Sequence, residues 1–150
     1  MSPKLKLLLS LCLLHLANFA SGQLITTNNL TVAQYVQDVL LGANVAVSNI
    51  TFNGGAANVT SNAVGGFDCP DCNLGIPSGF AMCTGSVANM VGPNNMGSNG
   101  TGNGITGTPA TYDADLYTLV QANGFTAMND WAIIEFDFVP LGDTIQFVYV

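Results

Sequence analysis

The chain has 150 residues and nine carboxylates against two Lys or Arg residues, giving a formal charge of −7; 49% of its residues are hydrophobic and only 7% charged. Both lysines (Lys4, Lys6) and the single histidine (His15) precede Gly22, so residues 23–150 carry all nine acids and no base. This argues against nucleic-acid and anionic-membrane binding, which run on cationic contacts. It also argues against serine or cysteine nucleophiles that need a histidine or lysine base.

Lys4 and Lys6, the leucine-rich run Leu7 to Leu16 and the small residues Ala20, Ser21 and Gly22 read as a signal peptide over 1–22, cut before Gln23. The apolar run is too short to span a bilayer as a helix, so no membrane span is expected in the mature chain. The remainder, 23–150, is long enough for one domain with its own core. Thr31-Val32-Ala33-Gln34 opens a helix with a capping-box pattern. Val32, Tyr35, Val36, Val39 and Leu40 continue it, and Gly42 stops it. From Val45 the period becomes two. Val45, Val47, Asn49 and Thr51 are expected on one face, and Ala46, Ser48, Ile50 and Phe52 on the other, up to the turn Asn53-Gly54-Gly55.

Ala56 to Thr60 and Gly79 to Cys83 read as further short strands. Gly85 to Thr111 is a long polar loop. Within it Gly102-Asn103-Gly104-Ile105-Thr106-Gly107 matches a dinucleotide fingerprint but lacks the preceding strand that such a site requires. Asp113-Ala114-Asp115-Leu116 starts a short second helix closed by Gly124. Ile134, Phe136 and Phe138 then alternate with Ile133, Glu135 and Asp137. Pro140-Leu141-Gly142-Asp143 turns, and Thr144 to Val150 is expected to return as the second strand of an antiparallel hairpin. The predicted fold is all-β, a mainly antiparallel β-sandwich-like domain with one N-terminal α-helix and a short second helix. The apolar alternation is unbroken at Val150, which reads as an incomplete domain and part of a longer polypeptide.

Three cysteines follow the signal, Cys69, Cys72 and Cys83. In an oxidising compartment two should pair, either Cys69 with Cys72 or Cys83 with one of them. Asp113 and Asp115, beside a Gly/Asn-rich loop, offer hard oxygen ligands for Ca²⁺. The alternative role is an N-cap for Asp113 with Asp115 in the favourable first helical turn. Glu135 and Asp137 share a strand face about 7 Å apart. That spacing suits a paired acid and base, or a solvent-facing polar surface.

Several segments, in order, resemble the choice-of-anchor L domain of exported bacterial proteins. They are Gln23-Leu24 with Leu30-Thr31, Val39-Leu40-Leu41-Gly42, the strand Val45 to Phe52, and Asn73-Leu74-Gly75-Ile76 with Ser78-Gly79. Further along come Thr84-Gly85-Ser86-Val87-Ala88-Asn89 with Gly92-Pro93-Asn94, then Asp113-Ala114-Asp115-Leu116 and Ile134-Glu135-Phe136-Asp137-Phe138-Val139-Pro140. The Cys69 to Cys72 segment and Cys83 depart from that pattern. The resemblance implies a secreted or surface-attached protein with no established catalysis. The expected function is therefore a non-catalytic display or adhesion module with a surface glycan or protein ligand. One alternative is a Ca²⁺-dependent carbohydrate-binding module using Asp113 and Asp115 with Tyr112, Tyr117 or Trp131 against sugar. A more remote one is a glycosidase-like enzyme using Glu135. The sequons at Asn29, Asn49, Asn58 and Asn99 are expected to be silent in a bacterial export protein.

Overall fold

The computed structural model describes residues 23–42, 44–92, 106–107 and 113–150. Residues 1–22, read above as a signal peptide, Tyr112 and most of the dinucleotide-like stretch lie outside them.

The chain begins with β1 (Ile25–Thr27) and turns into α1 (Val32–Gln34), which continues as a π-helix over Tyr35–Leu40. Thr31 is the N-cap, and the capping box is complete: Gln34 N donates to Thr31 Oγ1 (3.3 Å), and Thr31 N donates to Gln34 Oε1 (2.9 Å). The wide winding shows in the bond from Leu41 N to Val36 O at 3.0 Å, five residues apart. Gly42 ends the helix at φ +79°, where glycine carries no Cβ penalty.

Seven strands follow: β2 (Ala46–Phe52), β3 (Gly55–Ala56), β4 (Val64–Asp68), β5 (Ser78–Met82), β6 (Thr106–Gly107), β7 (Met128–Asn129) and β8 (Ile134–Val139). A 3-10 turn over Val87–Met90 and α2 (Ala114–Ala122) lie between them. The described strands make two antiparallel three-stranded sheets, ordered β1-β4-β5 and β3-β2-β8, and a small β6-β7 ladder. The α1/π segment sits in the shared core: Val32, Tyr35 and Val36 cluster with Phe52, Ala57, Ala63 and Val64, with Phe80, Ile134 and Phe136 packed around them. The expected all-β class, the N-terminal helix and the second helix are all present.

Four local expectations change. The period-two reading of β2 breaks at an extra residue: Ser48 pairs with Asp137 and Thr51 with Glu135, so three steps on β2 match two on β8. Asn49 takes φ +52° at this bulge, and the parity switch lets Val47 and Ile50 both reach the core. Ala56 to Thr60 is strand only at Gly55–Ala56, because its later carbonyls serve the helix. Val32 N donates to Val59 O (2.8 Å) and Ala33 N to Ala57 O (3.0 Å), filling donors that a helix start leaves open.

The sequence reading omits β1 and β4. β1 is three residues long and β4 contains Gly65-Gly66, which reads as a loop. The glycines are required by close approach: a Cβ on Gly65 would collide with the Thr27 carbonyl oxygen and lie 2.9 Å from Val87 Cγ2. Finally, Thr144 to Val150 forms no strand, so the expected hairpin is absent. Pro140, the residue after β8, has no N–H with which to continue a ladder. Thr144 to Phe147 line an open groove with Leu40, Leu41, Val45 and Phe138, and the apolar side chains of the segment stay exposed, from 51% at Phe147 to 88% at Tyr149.

Candidate functional site

The β2–β8 outer face carries the acids that the alternation places together. Ile134, Phe136 and Phe138 are half-buried while Glu135 and Asp137 are exposed, as the period-two pattern requires. Asn49 Nδ2 donates to Asp137 Oδ2 at 2.6 Å, and Thr51 Oγ1 donates to Glu135 Oε2 at 3.4 Å. Both carboxylates therefore have cross-strand partners that are neutral donors. The β2 bulge is what turns Asn49 outward to meet Asp137. Asparagine is poor in strands but tolerates positive φ, and that was the signal available in the sequence for this contact.

The Asn53-Gly54 turn fixes the same sheet. With φ +51° and +72° the pair forms a two-residue hairpin between β2 and β3. Asn53 also clasps Ile133 twice: its N donates to Ile133 O and its Oδ1 accepts from Ile133 N, each at 2.8 Å. These bonds set β8 beside β2 before the acidic face begins.

Asp113 is the N-cap of α2, its Oδ1 accepting from Leu116 N at 2.8 Å, and Asp115 lies exposed in the first turn. Gly124 closes the helix at φ +79°. Among the described residues no group of three or more His, Cys, Asp or Glu side chains gathers in metal-ligand geometry. Of the aromatics expected against sugar, Trp131 is only 6% exposed, which removes its face from an outside ligand. Tyr117 is half-buried and accepts from Gln121 Nε2 at 3.1 Å. Tyr112 lies outside the described residues.

The cysteine alternatives resolve. Cys69 and Cys72 form a disulfide with Cα atoms 5.2 Å apart, and Cys83 is a free thiol. The β4–β5 register explains the choice. Cys69 N donates to Pro77 O at one end of the ladder, and Cys83 N to Ala63 O at the other. Six residue steps, from Ala63 to Cys69, separate these ends, roughly 20 Å at ~3.3 Å per residue, far beyond disulfide reach. Burial pushes the Cys83 thiol above its ordinary 9.0, against a smaller lowering by a backbone hydrogen bond from Gly85. A thiol held in its protonated form is a poor nucleophile and metal ligand.

Together these features define an acidic β-sheet domain around a buried helix, with Glu135, Asp137 and Asp113 accepting from neutral donors and no helix among the described residues long and apolar enough to cross a membrane. The chain belongs to the choice-of-anchor L domain family, whose model matches residues 24–150. Neither curated proteins nor solved structures gave a match. Membership makes this a surface-associated module of the exported type.

Proposed function

We propose that the domain is a non-catalytic display or adhesion module at the cell surface, exported by the signal peptide of residues 1–22. The observation that carries this reading is the state of its acids. Glu135, Asp137 and Asp113 each accept a structural hydrogen bond from Thr51, Asn49 and the Leu116 N–H. Two of these bonds join β2 to β8 and the third caps α2, which suits a scaffold that presents surface. Its ligand is a protein or glycan on an opposing surface.

The test has two arms. Protease treatment of intact cells should remove the domain while cytoplasmic markers survive, and deletion of its gene should lower adhesion to host or neighbour cells. Retention inside intact cells would overturn surface display. Hydrolysis of a glycoside by the purified chain, lost in Glu135→Gln, would overturn the non-catalytic reading.

A further inference from the structure

The phase of the β4–β5 ladder shows which backbone groups β5 leaves over. Cys69 N donates to Pro77 O and Cys83 N to Ala63 O, at opposite ends of the register. Residues that exchange bonds alternate along an antiparallel pair, so Pro77, Gly79, Ala81 and Cys83 turn their backbone groups to β4. Ser78, Phe80 and Met82 turn theirs the other way. Among the described residues no strand lies on that side, since β5 ends the order β1-β4-β5. The N–H and C=O groups of Ser78, Phe80 and Met82 therefore form a row on which another extended segment can pair.

A segment with strand patterning lies beside that row. An open groove of about 440 Å³ is lined by all of β5, by Val39 and Leu40 of the π-helix, and by residues 146–150. Residues 144–147 line the neighbouring groove with Leu40, Leu41, Val45 and Phe138. The segment thus runs from the end of β8, past the helix end, to the other three-stranded sheet. Ile145, Phe147 and Tyr149 alternate with Gln146, Val148 and Val150, and no Gly or Pro interrupts them. All six are exposed and belong to no strand.

We infer that residues 146–150 add to the free edge of β5 as a fourth strand of its sheet, a β-augmentation within one chain that closes the groove between them. The outward groups of Ser78, Phe80 and Met82 then gain partners, and apolar side chains now facing water are covered beside Phe80, Val39 and Leu40. This pairing is not a hairpin with β8, because the segment joins the sheet that β8 does not belong to. The short connection through residues 140–143 holds the segment at the groove, so closing a small loop, and not free association, sets the ordering cost. The closure does not depend on surface display.

The experiment is residue-resolved amide hydrogen exchange on the full chain, on Phe147→Pro and on Val148→Pro. Adjacent strand residues turn their N–H groups to opposite sides, so one proline removes a donor to β5 and the other removes one that faces away. One variant should therefore speed exchange of the Phe80 and Met82 amides about tenfold or more, and the other should change it little. Gly79 and Ala81, bonded to β4, should keep their parent rates in both. The substituted positions are exposed and outside any strand, so the rest of the fold tolerates the change. Phe80 and Met82 amides that exchange in the parent as freely as in an unstructured peptide would overturn the closure without any variant. So would rates that neither proline alters, or equal acceleration by both, which marks packing without a ladder. Protection that grows with protein concentration between about 0.05 and 1 mM would assign the added strand to a second copy and overturn the intramolecular closure.

Discussion

Asp113→Ala and Asp113→Asn separate the two roles open to Asp113, helix cap and cation ligand. The Asp113 carboxylate accepts from Leu116 N at 2.8 Å and so caps a helix of nine residues, too short to persist without caps and packing. Alanine removes that acceptor at a cost of about 1 kcal/mol, whereas asparagine keeps it at little cost. In a domain of this size 1 kcal/mol corresponds to a fall in Tm of about 4 °C. With chelator present, Asp113→Ala should therefore melt about 4 °C below the parent and Asp113→Asn within about 1 °C. If Asp113 and Asp115 also hold Ca²⁺, adding the ion at a hundredfold excess over its Kd stabilises the parent by about 2.7 kcal/mol. Asparagine then loses most of that gain despite its intact cap. Differential scanning calorimetry with Ca²⁺ and with chelator reads both effects. Equal cost for alanine and asparagine in chelator would refute the capping argument, and a parent Tm indifferent to Ca²⁺ would refute the cation site.

Gly65→Ala should destabilise by more than about 2 kcal/mol, since its Cβ meets the Thr27 carbonyl oxygen in a paired strand that cannot yield. Gly66→Ala, whose nearest neighbour is the rotatable Thr27 hydroxyl at 3.2 Å, should stay within about 1 kcal/mol in urea unfolding. Equal costs would mean that β1 does not lie where it is described. Tyr35→Phe removes a hydroxyl 3.4 Å from Thr27 Oγ1 and 3.3 Å from Asn29 Oδ1. It should cost about 1 kcal/mol, with faster amide exchange confined first to β1; unchanged exchange there would break the link. Reducing Cys69–Cys72, or replacing Cys72 by Ser, releases a loop with a sequence separation of 3. Loop-closure entropy puts the loss at about 2 kcal/mol, visible as a lower Tm in reductant, and an unchanged Tm would refute that figure.

The parts of the fold read correctly from sequence are those specified by local chemistry. The Thr31 to Gln34 capping box, the Gly42 and Gly124 stops, the Asn53-Gly54 turn and the β8 alternation each act over a few residues. What was misread depends on distant partners. β4 is a central strand because β1 and Val87 press on its glycines, and no local feature of Val64-Gly65-Gly66 announces that. Ala57 and Val59 leave the strand pattern because their carbonyls answer a helix start that precedes them by more than twenty residues. The expected hairpin return at Thr144 is absent for a similar reason, since alternation marks apolar side chains without saying whether any strand pairs with them, and here Ile145, Phe147 and Tyr149 stay exposed.

A fold whose acids meet only neutral donors should respond to salt in an unusual direction. Ordinary domains hold both attractive and repulsive charge pairs, and salt weakens both. Here every charged side chain of residues 23–150 is an acid, so the long-range term among side chains is self-repulsion, which opposes the compact state. The Debye length falls from about 10 Å at 0.1 M to about 3 Å at 1 M, which screens most separations between exposed carboxylates on a domain this small. The bonds from Asn49 to Asp137 and from Leu116 N to Asp113 are short contacts and lose little by screening. The Tm of residues 23–150 should therefore rise steadily in NaCl up to 0.5 M, before any general salting-out effect. A Tm that falls over this range would mean that attractive ionic contacts support the fold, and the account of its acids given above would be wrong.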